Sequence, residues 1–363
     1  MVLASVHAAP PVASAKKRLL IVDDSALMRK VLRDMFVETG RFEAQTARNG
    51  VDALLQIERF NPDVVTLDVN MPEMDGLTCL SHIMARFPRP VVMVSSITQK
   101  GAAATMEALG LGAVDFVAKP GGTVSLDLGA VAAEIVAKVE AATRARPRIA
   151  RAIASSTRAR AEQAAPRPSG GRAPAGIVLI GVSTGGPRAL EDILPVLPAS
   201  FPWPVVVAQH MPPAFTASFA ARLNNLCALD VREVGAPTPL AAGLVYIARG
   251  GADLVIERTL GRIVARSVPE DPAHHWHPSV EKLVASAMKV MEPRALVGVL
   301  LTGMGDDGAH AMTELLKGGG RTIAEDASTA VVFGMPSELI RLGGASKTLP
   351  CDEVAAQLNS WIK

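Results

Sequence analysis

Short apolar runs alternate with helical spacing twice along this chain. Between residues 17 and 140 the runs are Arg18–Asp23, Phe42–Ala47, Asp63–Asp68, Pro90–Ser95 and Asp115–Lys119. Helical patterns fill the gaps, from Ser25–Glu38 at the start to Ser125–Ala142 at the end. This alternation predicts a doubly wound parallel sheet with its site at the carboxyl ends of the strands. A second alternation begins at Gly176. Ile177–Ile180 and Val205–Gln209 read as buried strands, and Leu296–Leu301 as a third. Helices are expected over Arg188–Leu194, Phe215–Leu226 and Ala309–Lys317, the last stopped by Gly318-Gly319-Gly320. The expected class is α/β, with two doubly wound parallel-sheet domains.

What lies between the two patterns separates them. Residues 144–174 hold eight arginines, four prolines and a single acid, Glu162, for a charge of +7. Little there can enter a core, so the stretch reads as a flexible linker. It has no aromatic side chain on which a base could stack, so a solvated spacer is favoured over a nucleic-acid site. The expected organisation is a disordered leader over 1–16, a first domain over 17–140, a linker over 141–174 and a second domain over 175–363. Composition changes this little. With 363 residues, 49% hydrophobic and 20% charged, and a net charge of +2, the chain reads as a globular monomer with no chain-wide field for polyanions. Met1–Ala15 lacks a basic start and contains Pro10-Pro11, unlike a signal peptide. No apolar run is long enough for membrane insertion. Cys79, Cys227 and Cys351 are far apart and fit a reducing compartment, the cytoplasm.

The polar residues that close the strands carry the chemistry. In the first domain Asp23-Asp24, Asp68, Ser95-Ser96 and Lys119-Pro120 stand at strand ends and should meet at one rim. Clustered carboxylates call for a cation, and oxygen donors suit Mg²⁺. The lysine could hold a phosphoryl group as a point charge. A set of unrelated helix caps would explain the aspartates and serines, but not Lys119-Pro120.

In the second domain Gly181-Val182-Ser183-Thr184-Gly185 fits G-x-S-x-G, a sharp strand-to-helix turn that exposes a serine. A phosphate-binding loop would need glycine at position 183. The next strand ends in His210, and the later one runs into Thr302-Gly303-Met304-Gly305-Asp306-Asp307-Gly308. Serine, histidine and aspartate at neighbouring strand ends suit nucleophile, general base and orienting acid. Spacing alone does not choose between Asp306 and Asp307. For the oxyanion the turn rule favours the backbone N–H of Thr184, with that of Met304 as a second candidate. His274, His275 and His277, with Trp276 among them, have no further ligand at metal spacing and read as a pocket-lining or surface loop.

Two families match these motifs. Leu20–Ser25, Leu67–Gly76, Val94-Ser95-Ser96 and Val117–Pro120 resemble a two-component receiver domain, which is flavodoxin-like. The resemblance implies that Asp68 accepts a phosphoryl group from a histidine kinase. It implies Mg²⁺ ligation by Asp24, Asp68 and the carbonyl of Asn70, with Asp23 in support, and phosphoryl sensing by Ser95 and Lys119. Gly181–Pro187, Gln209–Pro212, Leu301–Gly308 and Val332–Pro336 resemble the Rossmann-like catalytic domain of chemotaxis protein-glutamate methylesterases. That resemblance implies hydrolysis of glutamate γ-methyl esters, and deamidation of certain glutamines, on the cytoplasmic domains of chemoreceptors, with no cofactor for the ester step. The family motif G-M-G-x-D-G selects Asp307. Arg249 and the pair Glu281-Lys282 depart from the family pattern, and both are expected to alter the pocket rim or the receiver contact without touching the triad.

A receiver fused to a non-catalytic or DNA-binding output is the competing reading, but residues 176–363 show no helix-turn-helix pattern. A linker of about 30 residues spans roughly 30 Å. The receiver can therefore rest against the second domain and cover Ser183, until phosphorylation of Asp68 releases it.

Overall fold

The computed structural model describes residues 15–96, 98–119, 128–145 and 174–363. The expected leader up to residue 14, and residues 146–173 of the linker expected over 141–174, lie outside the described residues; the first two residues of that linker instead end a helix, Leu128–Ala142.

The first half alternates β1 (Lys17–Val22), α1 (Ala26–Glu38), β2 (Phe42–Ala47), α2 (Gly50–Phe60), β3 (Val64–Asp68), α3 (Gly76–Arg86), β4 (Val91–Ser95), α4 (Gln99–Leu111), β5 (Asp115–Ala118) and α5 (Leu128–Ala142). The five strands form one parallel sheet in the order β2-β1-β3-β4-β5. β3 and β4 are buried along their whole length, and their sequences are apolar apart from Thr66 and the Asp68 and Ser95 that end them. Polar residues start the helices: the Ser25 hydroxyl accepts from the N–H of Met28, and the Asp75 carboxylate from that of Thr78. The strand expected to open at Arg18 begins one residue earlier. The start expected for the last helix, at Ser125, lies outside the described residues.

The second half continues with β6 (Ile177–Val182), α6 (Gly186–Ile193), β7 (Val205–Gln209), α7 (Pro213–Leu226), β8 (Asp230–Val234), β9 (Thr238–Pro239), β10 (Leu244–Ala248), β11 (Asp253–Thr259), β12 (Arg262–Val268), α8 (Val280–Met288), β13 (Leu296–Leu300), α9 (Ala309–Lys317), β14 (Arg321–Glu325), α10 (Met335–Arg341), β15 (Lys347–Leu349) and α11 (Cys351–Trp361). Seven strands make a parallel sheet in the order β15-β14-β13-β6-β7-β10-β8. β6 lies between β13 and β7, so the three strands that lead into the Asp307, Ser183 and His210 loops are neighbours. β11, β12 and β9 form a small antiparallel sheet, an addition to the expected all-parallel layout.

The halves are in contact. α4 packs on α6 and α7, and Phe116 of β5 meets Phe215 of α7 with ring centroids 4.5 Å apart. The Arg222 guanidinium, paired with Glu191 at 2.5 Å, lies where a Cβ on Gly110 would come within 2.4 Å of Nη2. One buried apolar cluster runs through both halves. The junction is not sealed everywhere: a cleft of about 1270 Å³ opens between α1, α5 and residues 327–334. No helix among the described residues is long and apolar enough to cross a membrane.

Phe215 is fully buried at this junction. Phe215→Ala is expected to lower stability by about 3–5 kcal/mol, read from denaturant unfolding of the full chain. A change below about 1 kcal/mol would mean that the ring does not belong to a close-packed core.

Candidate active site and phosphoacceptor site

In the second half the site is built from the ends of β6, β7 and β13. The turn after β6 carries Ser183, and Gly185 sits at φ +80°, a conformation that side chains with a Cβ rarely adopt. Pro187 opens α6, where a missing N–H is harmless. Gly303, after β13, lets that loop close on the serine, because a Cβ there would fall 2.7 Å from the Ser183 Cβ. The Ser183 N–H donates to the Thr302 carbonyl at 2.9 Å. Ser183, Thr184 and His210 are all buried.

Asp307 is the acid that meets the histidine. Its Oδ2 lies 2.8 Å from His210 Nε2. The same carboxylate accepts from the Ser279 hydroxyl at 3.1 Å, from the N–H of Val280 at 2.7 Å and from the N–H of Glu281 at 2.9 Å. Its partners are thus the histidine and the first turn of α8, where unpaired N–H groups and the helix dipole favour an anion. Asp306, its neighbour in sequence, is exposed. The Nδ1 of His210 is buried and has no partner among the described residues. With Nε2–H directed to the carboxylate, Nδ1 carries the lone pair. Among the described residues, no hydrogen bond links Ser183 Oγ to the ring, and the N–H groups of Thr184 and Met304 donate to no other group.

Several supporting residues have no signature in the sequence. Gln209 Nε2 donates to the carbonyls of Ser183 and His210, both at 3.0 Å, and so ties two strand ends together. The Thr302 hydroxyl donates to the Thr184 carbonyl at 2.8 Å, while the Glu325 carboxylate accepts from the Thr302 N–H at 2.7 Å. Ser279, besides reaching Asp307, caps α8. The expectation that residues 281 and 282 do not touch the triad is corrected for Glu281. Glu281 does touch the triad, through its N–H on Asp307, and its side chain accepts from the Ala311 N–H. Lys282 instead reaches Asp253 and Asp271. Among the described residues, exposed Arg249 shows no such contact with the site.

In the first half Lys119 Nζ lies 2.9 Å from Asp23 and 2.8 Å from Asp68. Asp23, Asp24 and Asp68 each bring an oxygen within 4.8 Å of the others. The Asn70 N–H bonds the Asp68 carboxylate. Burial and the Asp23 charge hold the Asp68 carboxyl above its ordinary range, despite Lys119 and the Asn70 N–H. Burial works against the Lys119 ammonium, but Asp68 and Asp23 outweigh it and its pKa is raised. Ser95 is fully buried, and its hydroxyl donates to the Gly101 carbonyl at the start of α4, at 3.3 Å. Across the junction the Thr184 side chain reaches Asp115, at the start of β5 and so at the end of that strand away from Lys119, a buried carboxyl that burial pushes up despite Lys138 nearby.

Comparison with known proteins agrees with this organisation. Residues 19–127 match the family described as response regulator receiver domain, and residues 178–358 match CheB methylesterase. Protein-glutamate methylesterase/protein-glutamine glutaminase 3 of Rhodospirillum rubrum is 54% identical over 355 residues, 95% of this chain and 96% of that protein. The second such protein of Rhodopseudomonas palustris is 54% identical over 357 residues, 95% of this chain and 98% of its own length. The crystal structure of the Thermotoga maritima CheB methylesterase catalytic domain superposes with a TM-score of 0.50 at 39% identity, covering 52% of this chain and 98% of that one. The fold and its strand-end clusters define a response regulator with an enzymatic α/β output domain. The chain belongs to the CheB methylesterase family, the protein-glutamate methylesterases/protein-glutamine glutaminases.

Asp307 also sets a pH signature. Burial raises its carboxyl pKa, but the His210 hydrogen bond and charge and the two backbone N–H groups outweigh that and hold it below the ordinary range. A depressed folded pKa gives stability that is present above the unfolded value and is lost as pH falls through the folded one. Asp307→Asn should therefore be less stable than the parent near neutrality, with the gap shrinking below about pH 4. Denaturation midpoints measured across that range check this, and a gap that is constant with pH would contradict it.

Proposed function

We propose that this chain removes methyl groups from glutamate γ-methyl esters on chemoreceptor cytoplasmic domains and deamidates receptor glutamines, using Ser183, His210 and Asp307 under control of the receiver. The observation that carries the reading is the pairing of His210, which stands at the strand end next to that of Ser183: one ring nitrogen lies on a carboxylate surrounded by donors, the other is buried and unpartnered among the described residues. His210 Nδ1 takes the Ser183 hydroxyl proton as Oγ attacks the ester carbonyl. The N–H groups of Thr184 and Met304 receive the developing oxyanion. The imidazolium then passes its proton to the leaving oxygen, so methanol departs and an acyl-serine remains. Water, deprotonated by the same nitrogen, hydrolyses the acyl-serine to glutamate and returns the proton to Ser183. With glutamine the leaving group is ammonia. Asp307 fixes the tautomer and stabilises the imidazolium.

The receiver takes its phosphoryl group on Asp68 from a histidine kinase. Asp24, Asp68 and the Asn70 carbonyl, with Asp23 behind them, would hold Mg²⁺. Three converging carboxylates are a hard-oxygen donor set with an excess of negative charge, which fits that ion. When bound, Mg²⁺ supplies charge neutralisation for the transferring phosphoryl group. Ser95 and Lys119 bind the phosphoryl oxygens. α4 carries the message: it starts beside Ser95 and packs on α6 and α7. Drawing Ser95 toward the phosphoryl group shifts α4 and loosens the junction that reaches Thr184. A tenfold activation needs a differential of only about 1.4 kcal/mol. A cytoplasmic monomer that binds no nucleic acid fits these partners.

Methanol release from methylated receptor, with and without a small phosphodonor, tests the reading. Ser183→Ala should lower turnover by several orders of magnitude, on the order of 10⁶ by analogy with other triads. Asp306→Asn should stay near the parent. A stronger defect in Asp306→Asn than in Asp307→Asn would reverse the acid assignment. For regulation, Asp68→Ala should keep a basal rate that no phosphodonor raises, and residues 175–363 alone should outpace the unphosphorylated full chain. An isolated domain no faster than that chain would remove occlusion by the receiver.

A further inference from the structure

Trp276, in the loop between β12 and α8, lies flat against His210. The ring centroids are 5.1 Å apart and the planes differ by 9°. His275 also meets the indole, edge-on, with centroids 4.7 Å apart. The loop is partly exposed, so its placement needs an anchor, and Asp253 supplies it. This buried carboxylate accepts from the N–H of Asp271 at 3.1 Å, the N–H of Ser279 at 3.0 Å, His277 Nδ1 at 2.9 Å and Lys282 Nζ at 3.1 Å. Lys282 also bonds Asp271 at 3.2 Å, which joins the two ends of the loop. His277 and Lys282 are thereby accounted for as struts, and the aromatic residue they carry is pressed on the one imidazole that the reaction uses.

The physical need is clear from His210 itself. Its ring has one protein hydrogen bond, at Nε2. A planar group held at one atom can still pivot about that bond, and a pivot would swing Nδ1 away from the serine. A parallel aromatic face removes this freedom. The same face carries the negative side of a quadrupole, which attracts a cation lying over it. Taking the serine proton makes His210 such a cation, so the attraction grows along the reaction and acts on turnover rather than on binding.

We propose that Trp276 is a positioning residue for the esterase reaction: it holds the plane of His210 so that Nδ1 faces Ser183, and its indole face favours the imidazolium formed in the acylation step. This rests on the triad reading of Ser183, His210 and Asp307.

The test is steady-state methanol release from methylated receptor by the full chain, with phosphodonor present. Trp276→Ala should lower kcat on the order of tenfold with KM within about twofold. Trp276→Phe, which keeps an aromatic face, should recover most of the loss. Trp276→Leu, apolar and nearer to phenylalanine in size but without a π face, should not. If the alanine variant fails to fold, the phenylalanine and leucine variants carry the comparison, with phenylalanine expected at least about threefold faster in kcat. Equal kcat for those two, or a defect confined to KM, would overturn the proposal. Ser183→Ala measured alongside separates the readings. An active Ser183→Ala removes the triad, whereas an inactive Ser183→Ala beside a fully active Trp276→Ala removes only the role of the tryptophan.

Discussion

A carboxylate can be buried and ionised only where donors surround it, and Asp307 is the place where this fold meets that constraint. Desolvation alone would neutralise it. The first turn of α8 supplies two N–H groups and the capping serine, and the remaining partner is His210. The geometry of the site follows from this. α8 must point its N-terminus at the loop after β13. β13 must lie beside β6, and β6 beside β7, so that serine, histidine and aspartate reach one point. With its anionic partner fixed, the imidazole directs Nε2 to the carboxylate and leaves Nδ1 unpartnered among the described residues, which is the arrangement the proposed reaction requires.

The receiver handles its own strand-end charges by a related device. Asp23 and Asp68 face each other in a largely buried rim, and Lys119 lies between them. An added phosphoryl group would compete for that lysine, and a divalent cation would take over its neutralising part. The change is local, but Ser95 is bonded to the start of α4, and α4 is also a wall of the junction with the second half. The ring pair Phe116–Phe215 and the approach of Arg222 to Gly110 close the junction on the α4 side, while the cleft lined by α1, α5 and residues 327–334 leaves it open elsewhere.

Much of this could be read in the chain before any coordinates. The central strands of the two parallel sheets are largely apolar runs, and the polar residues at or just past their ends stand at the sheet edge where chemistry collects. That is why Ser183, His210, Asp68 and Lys119 were visible as candidates. Asp307 needed the family motif, because only the direction of its side chain distinguishes it from exposed Asp306. The antiparallel hairpin β11–β12 went unread because its alternation is broken by charged residues and its turn uses Leu260 and Gly261, both at positive φ. Gln209, Thr302 and Asp253 were invisible for a different reason. Each acts through partners far away in sequence, such as the 118 residues between Thr302 and Thr184, and no local pattern records such a meeting. The junction between the halves likewise depends on side chains that read as ordinary core.

The central claim is that the buried carboxylate serves Ser183 through His210, so that the three act as one unit. Introducing Asp307→Asn into the parent and into Ser183→Ala, and following methanol release from methylated receptor, tests this directly. The account predicts a loss on the order of 10⁴ in the parent and no further loss in the Ser183→Ala background. An equal proportional loss in both backgrounds would show that Asp307 acts independently of the serine, and would contradict the account.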